Sequence, residues 1–139
     1  MDTFAVPAAT FAYLARSATS LREAITSDDV GMRYAHAHVA ALRATAALLA
    51  ARARPAPASA RRGRPVQRNA WVLLAQVAPE LAEWATFFSA GASKRAAAEA
   101  GSRSAVTERE ADDLVRDADR FLGLVPHAPA RAQVVRHVG

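Results

Sequence analysis

Every long segment of this chain repeats its apolar residues at intervals of three and four, and none alternates them over a useful length. That spacing lines one face of an α-helix and leaves a sheet-based core without its raw material. Alanine fills 37 of the 139 positions and is the strongest helix former, so composition and periodicity agree. Aromatics at 6% leave few large side chains for a core. The length suits one domain, 1–139, able to bury roughly two-thirds of its unfolded surface. Cysteine is absent, which excludes disulfides, thiol catalysis and cysteine-ligated zinc. No stretch approaches the roughly 18 uncharged apolar residues of a membrane span. Asp2 and a broken apolar run near the N-terminus do not read as a secretory leader. The expectation is a soluble cytoplasmic protein with no membrane partner.

The periodicity divides the chain. A first helix over about 7–26 has Pro7 in its first turn and a stripe of Phe11, Leu14, Ala18, Leu21 and Ile25. Asp28 and Asp29 open a second helix over about 29–53, with Met32, Ala35, Val39, Leu42, Ala46 and Leu49 as its apolar side. The short link predicts an antiparallel helical hairpin. Residues 54–68 hold Pro55, Pro57, Gly63 and Pro65 and read as one long loop. A short helix from Asn69 turns Ala70, Leu74 and Val77 inward, with Trp71 beside them. Pro79 starts a further helix, with Leu81, Trp84 and Phe88 on its stripe, Phe87 beside it, a weak point at Gly91 and an end at Gly101. Thr107 and Glu110 form a capping box for the last helix, about 108–125, with Ala111, Leu114, Ala118, Phe121, Leu122 and Val125 inward. Residues 127–139 read as a loosely held tail. The fold class is all-α: an up-and-down four-helix bundle with one short extra helix, its core at about 7–126 and a basic loop after the second helix.

The charge is unevenly spread. The net formal charge is +5, and the window 52–68 holds Arg52, Arg54, Arg61, Arg62, Arg64 and Arg68 with no acid. Outside it, 12 basic residues face 13 acidic ones, so the whole positive excess sits in that window. A polyanion should meet this segment first, and arginine suits phosphate through bidentate pairing and stacking on bases. The competing reading is a solvated linker in a chain that uses arginine at 17 of its 18 basic positions.

Candidate chemistry concentrates on the second helix. None of the six glutamates has a histidine three residues on, so a bundle-type dimetal site is not expected. His36 and His38 point about 160° apart on a helix and cannot chelate one ion together, so no metal or other cofactor is expected. Arg33, His36, Ala40, Arg43 and Ala47 share a stripe away from the leucines, while Tyr34 and His38 lie nearer the apolar side. Two readings stand: a packed histidine with a solvated arginine stripe, or an imidazole for proton transfer beside an arginine that holds phosphate.

The hairpin, the run Arg33-Tyr34-Ala35-His36-Ala37-His38-Val39-Ala40-Ala41-Leu42-Arg43, the stretch Val77-Ala78-Pro79-Glu80-Leu81-Ala82-Glu83-Trp84 and the final Arg109-Glu110-Ala111-Asp112-Asp113-Leu114 resemble the HEPN superfamily (higher eukaryotes and prokaryotes nucleotide-binding), in particular small stand-alone members from high-GC bacteria. The resemblance covers roughly residues 7–126. It implies a helical bundle, often dimeric. It also implies a metal-independent ribonuclease with an Arg-x(4–6)-His motif, or a module that has lost that motif and binds RNA, nucleotide or protein. Some such modules stand beside a nucleotidyltransferase in toxin–antitoxin pairs.

Three stretches match that motif: Arg33 to His38, Arg120 to His127 and Arg131 to His137. About 1.5 matches are expected by chance from four histidines and 17 arginines, so location decides more than spacing. The resemblance places the motif late in the bundle, where this chain reads Lys94-Arg95 and on to Ser102 without a histidine. The expectation is therefore an RNA- or nucleotide-binding HEPN-like domain with weak or no catalysis, using Arg52, Arg54, Arg61, Arg62, Arg64, Arg68 and Arg95. One alternative is a metal-independent ribonuclease, a toxin component, built on Arg33 with His38 or His36. The second is a module for homodimerisation or for a partner protein.

Overall fold

The structure, a computed structural model, describes residues 7–52 and 69–125. Among them every regular element is helical. Helix α1 (Ala8–Thr26) starts after Pro7 and ends where Ser27 turns extended. Asp29 then caps α2 (Val30–Arg52), its carboxylate accepting from the Met32 amide at 2.8 Å and its carbonyl from the Arg33 amide at 2.8 Å. The Asn69 side chain caps α3 (Ala70–Val77) by accepting from the Trp71 amide. Pro79 opens a single 3₁₀ turn, Pro79–Leu81, which leads into α4 (Ala82–Ala90). Gly91 breaks the column, and α5 (Ala92–Glu99) continues it. At the end of α5, Gly101 adopts φ +95° while its amide bonds to the Ala98 carbonyl and that of Ser102 to the Ala97 carbonyl. That is a Schellman stop, which glycine adopts without strain. The Thr107–Glu110 capping box is formed in full at the head of α6 (Glu108–Leu124).

Side-chain bonds fix how these elements run. Arg43 to Ser20, His36 to Glu23 and Arg33 to the Ser27 carbonyl step along an antiparallel α1–α2 pair. At the far end of α2, Arg52 donates to the Val77 carbonyl at 3.0 Å and to Glu80 at 2.8 Å, so the α3–α4 turn sits there. The α4–α5 column then climbs back until Ala98 lies against Gly31. From that end α6 returns along α2, tied at its start by Arg33 to Asp112 at 2.7 Å. The result is an up-and-down bundle of four columns, α1, α2, α4–α5 and α6, with α3 as the short extra helix. Its core gathers Leu48, Leu74, Leu81, Phe88, Leu114, Phe121 and Val125.

Two expectations need correction. The stripe assigned to the core on α1 reaches it only in its middle: Leu14 and Leu21 are half-buried against the core, while Phe11 is 60% exposed and Ile25 61%. The face turned inward is Thr10, Ser17, Ser20 and Ala24. On α2 the expected apolar side, Met32, Val39, Leu42, Ala46 and Leu49, is only half-buried, Ala35 alone being fully enclosed. The stripe read as solvated packs instead, with Ala40 and Ala47 fully buried, Arg43 bonded to Ser20 of α1 and His36 at 3.5 Å from Glu23. The reason is steric. Two helices approach closest where side chains are smallest, so serine and alanine occupy the seam and bulky residues are pushed to its flanks. Helix α2 is also central, touching α1, α3, α5 and α6, so most of its circumference is interior.

Candidate functional site

The polar run of α2 is distributed over three surroundings. Arg33 lies at the helix start and is 17% exposed. Its guanidinium donates to Asp112 on α6 and to the Ser27 carbonyl, with Glu108 at 3.9 Å. It thus ties the α1–α2 link to α6. His36 turns to α1, with Nδ1 at 3.5 Å from Glu23. His38 turns the other way and is 1% exposed. The structure does not bring Arg33 and His38 together: their partners lie on different elements.

His38 sits in an aromatic core. Its ring meets Trp71 edge-on at 5.7 Å and Phe88 edge-on at 6.3 Å. Trp71 and Trp84 stack on Phe88, and Phe121 packs edge-on against it. His38 Nε2 is 2.8 Å from the Phe88 carbonyl oxygen. A carbonyl only accepts, so Nε2 carries the hydrogen and Nδ1 is the bare nitrogen. Nδ1 is buried and has no hydrogen-bond partner among the described residues. Burial is the main cause that holds the imidazole below its usual titration range; Arg95 adds to it, and the Phe88 bond and Glu99 oppose it.

One helical turn earlier, Tyr34 is buried and its hydroxyl presses on Gly91: a Cβ there would lie 2.5 Å from Tyr34 Oη. Burial pushes the phenol up from its ordinary range, with Lys94 opposing and Glu110 adding to the rise. Lys94 pairs with Glu110, which raises the ammonium and lowers the carboxyl. Tyr34, Phe87, Lys94, Glu110, Asp113 and Asp117 line a cleft of about 270 Å³ with three carboxylates to one ammonium. That cleft is not a phosphate cradle.

The expected nucleic-acid residues fare differently. Arg52 is engaged with Val77 and Glu80. Arg95 is half-buried; its Nε lies 3.8 Å from Glu99 Oε1 and makes no hydrogen bond among the described residues. Arg54, Arg61, Arg62, Arg64 and Arg68 lie outside the described residues, as do His127 and His137. Among the described residues no three histidine or acidic side chains converge on a metal-sized site. No helix there is long and apolar enough to cross a membrane. Sequence reasoning missed the Tyr34–Gly91 contact and the Lys94–Glu110 pair. The only local signal was the glycine inside an otherwise helical run.

A family model for the SAV_6107-like HEPN domain matches residues 24–126, from the last turn of α1 to just past α6. The chain belongs to this HEPN family. The match spans α2 to α6 whole, so both the aromatic core round His38 and the Arg33–Asp112 tie belong to the HEPN domain. The superfamily is one of nucleotide-binding and ribonuclease-like helical domains, often dimeric. No curated protein and no solved structure matches the chain.

Proposed function

We propose that this HEPN protein is a cytoplasmic, single-domain module that binds RNA or nucleotide and does not cleave it. The observation that carries the reading is the separation of Arg33 from His38. A metal-independent cleavage site needs an imidazole within reach of a phosphate and a cation beside it. His38 is spent on the Phe88 carbonyl inside the core, and Arg33 on Asp112 and Ser27. His36 is reachable but faces Glu23.

Binding is assigned to the basic segment. The described residues hold 11 basic and 12 acidic side chains, a net of −1. Of the remaining +6, Arg131 and Arg136 with Asp2 give a net +1, and +5 comes from Arg54, Arg61, Arg62, Arg64 and Arg68. A polyanion therefore gains most from these arginines.

The test is fluorescence anisotropy of a short single-stranded RNA across a salt series. Three or four engaged arginines give a log–log slope of about −2 to −3. Replacing Arg61, Arg62 and Arg64 by alanine should weaken binding and flatten the slope while the helical circular dichroism stays unchanged. Equal binding by both proteins, or none at low salt, removes the segment from the interface. Chelator-resistant cleavage of the RNA, leaving cyclic phosphate ends and lost in the His36→Ala variant, returns the protein to the ribonucleases.

A further inference from the structure

The break at Gly91 and the buried imidazole belong to one device. The Phe88 carbonyl lies in the last turn of α4 and accepts twice: from the Gly91 amide at 3.0 Å and from His38 Nε2 at 2.8 Å. The first bond closes the helix end; the second ties that end to α2, 50 residues away in sequence. Gly91 itself rests on α2, since a Cβ there would stand 2.5 Å from Tyr34 Oη and 3.6 Å from His38 Cδ2. Beyond this elbow α5 is held by its packing on α2 and by one exposed pair, Lys94 to Glu110 on α6. Only Ala98 of its eight residues is fully buried, and it packs chiefly on α2. We infer that His38 is a proton-released latch: neutral, it clamps the α4–α5 elbow to α2, and protonated, it lets α5 lift from the bundle.

The chemistry follows from the two ring nitrogens. The Nε2 hydrogen is committed to a carbonyl, so an added proton goes to Nδ1. Nδ1 is buried and faces no acceptor among the described residues. A buried N–H without a partner is costly, and an imidazolium in an aromatic shell more so. The groups round the ring do not offset that cost. From α3 and α4 it meets Trp71 and Phe88, which carry no charge. From α5 it feels Arg95, which repels an imidazolium, and Glu99, which attracts one but already lies 3.8 Å from Arg95. Its neighbour on α2 is the neutral Tyr34, beyond which Lys94 and Glu110 pair with each other. Lifting α5 exposes the imidazole to water, where the proton is welcome.

The linkage has one sign. Above about pH 6.5 the imidazole is neutral whether the elbow is closed or open, and the latch holds in full. Below it the open form binds a proton that the closed form refuses, so opening rises by up to tenfold per pH unit. His36, 3.5 Å from Glu23 on the α1 side, lies away from this elbow.

The experiment is amide hydrogen exchange on the full chain between pH 7.5 and 5.0, expressed as protection factors so that intrinsic exchange is removed. Protection over 88–99 should fall by up to tenfold per unit below about pH 6.5, while the α1–α2 seam keeps its own. His38→Gln sets an amide nitrogen near Nε2 without a titrating group, so its 88–99 protection should be flat with pH. Flat protection in the wild type, or an equal fall in His38→Gln, overturns the latch. Should His38→Gln fail to fold, the wild-type imidazole resonance decides. The latch requires it to shift in step with the α5 amides. An imidazole that titrates with an ordinary midpoint while those amides stay still overturns it.

Discussion

Replacing Gly91 by alanine sets two effects against each other. In an open helix the change is favourable by roughly 0.5–1 kcal/mol, because alanine loses less backbone freedom. The backbone raises no objection, since φ −90° and ψ 0° suit any residue. The objection comes from α2. The new Cβ would stand 2.5 Å from Tyr34 Oη, well inside the 3.4 Å at which ordinary contact begins. The phenol ring is rigid and buried, so the strain must be taken by the elbow or by α2. Overpacking of that kind typically costs about 1–3 kcal/mol. Gly91→Ala should therefore destabilise by about 1–2 kcal/mol net. In a Tyr34→Phe background the clashing oxygen is gone, and the same change should become neutral or favourable by about 0.5 kcal/mol. Urea unfolding followed by circular dichroism at 222 nm reads all four proteins of the cycle. A Gly91→Ala protein more stable than wild type by 0.5 kcal/mol or more, as helix propensity alone dictates, would show that Tyr34 does not press on this glycine.

Other expectations test the rest of the bundle by the same unfolding measurement. Leu114→Ala should cost about 2–5 kcal/mol, since Leu114 lies buried in the middle of the α6 stripe; a cost under about 0.5 kcal/mol would refute that placement. On α1 the rotated face makes a paired prediction. Ile25→Ala should stay within about 0.5 kcal/mol of wild type, whereas Ala24→Leu should cost about 1–3 kcal/mol by wedging the seam; the reverse order would restore the large-residue stripe to the core. Thr107→Ala should cost about 1 kcal/mol and Thr107→Ser much less, because only the hydroxyl caps the Glu110 amide.

Helix limits were legible because each is written locally. Asn69, Pro79, Gly101 and the Thr107–Glu110 pair act on backbone within four residues of themselves. The inward face of α6 was legible because its large residues are also its buried ones. The α1–α2 seam was not. Periodicity weighs bulky apolar residues, and this seam is closed by Thr10, Ser17, Ser20 and Ala24 on one side and by alanines on the other. Ser17 satisfies its hydroxyl on the Leu14 carbonyl of its own helix, so it can enter the interior although its type points to the surface. The site was legible in part. Helical geometry separates His36 from His38, and placing His38 nearer the apolar side anticipates its burial. The partner of Arg33 lies 79 residues away on α6, and only the folded chain connects them. The same holds for Arg52, whose charge reads as free in sequence and which instead joins α2 to the α3–α4 turn.

The alanine seam also sets how the protein responds to temperature. Of the 22 buried apolar side chains among the described residues, 12 are alanines. Each brings a single methyl group out of water, and the heat capacity of unfolding grows with the apolar area newly wetted. Per residue, that increment should fall below the usual 12–15 cal/mol/K or so. A small increment gives the free-energy curve little curvature. The hydrophobic gain lost on cooling is small, because there was little of it, and heat denaturation is approached gradually from a broad maximum. Such a bundle holds a moderate stability across a wide span of temperature instead of a high one near a single optimum.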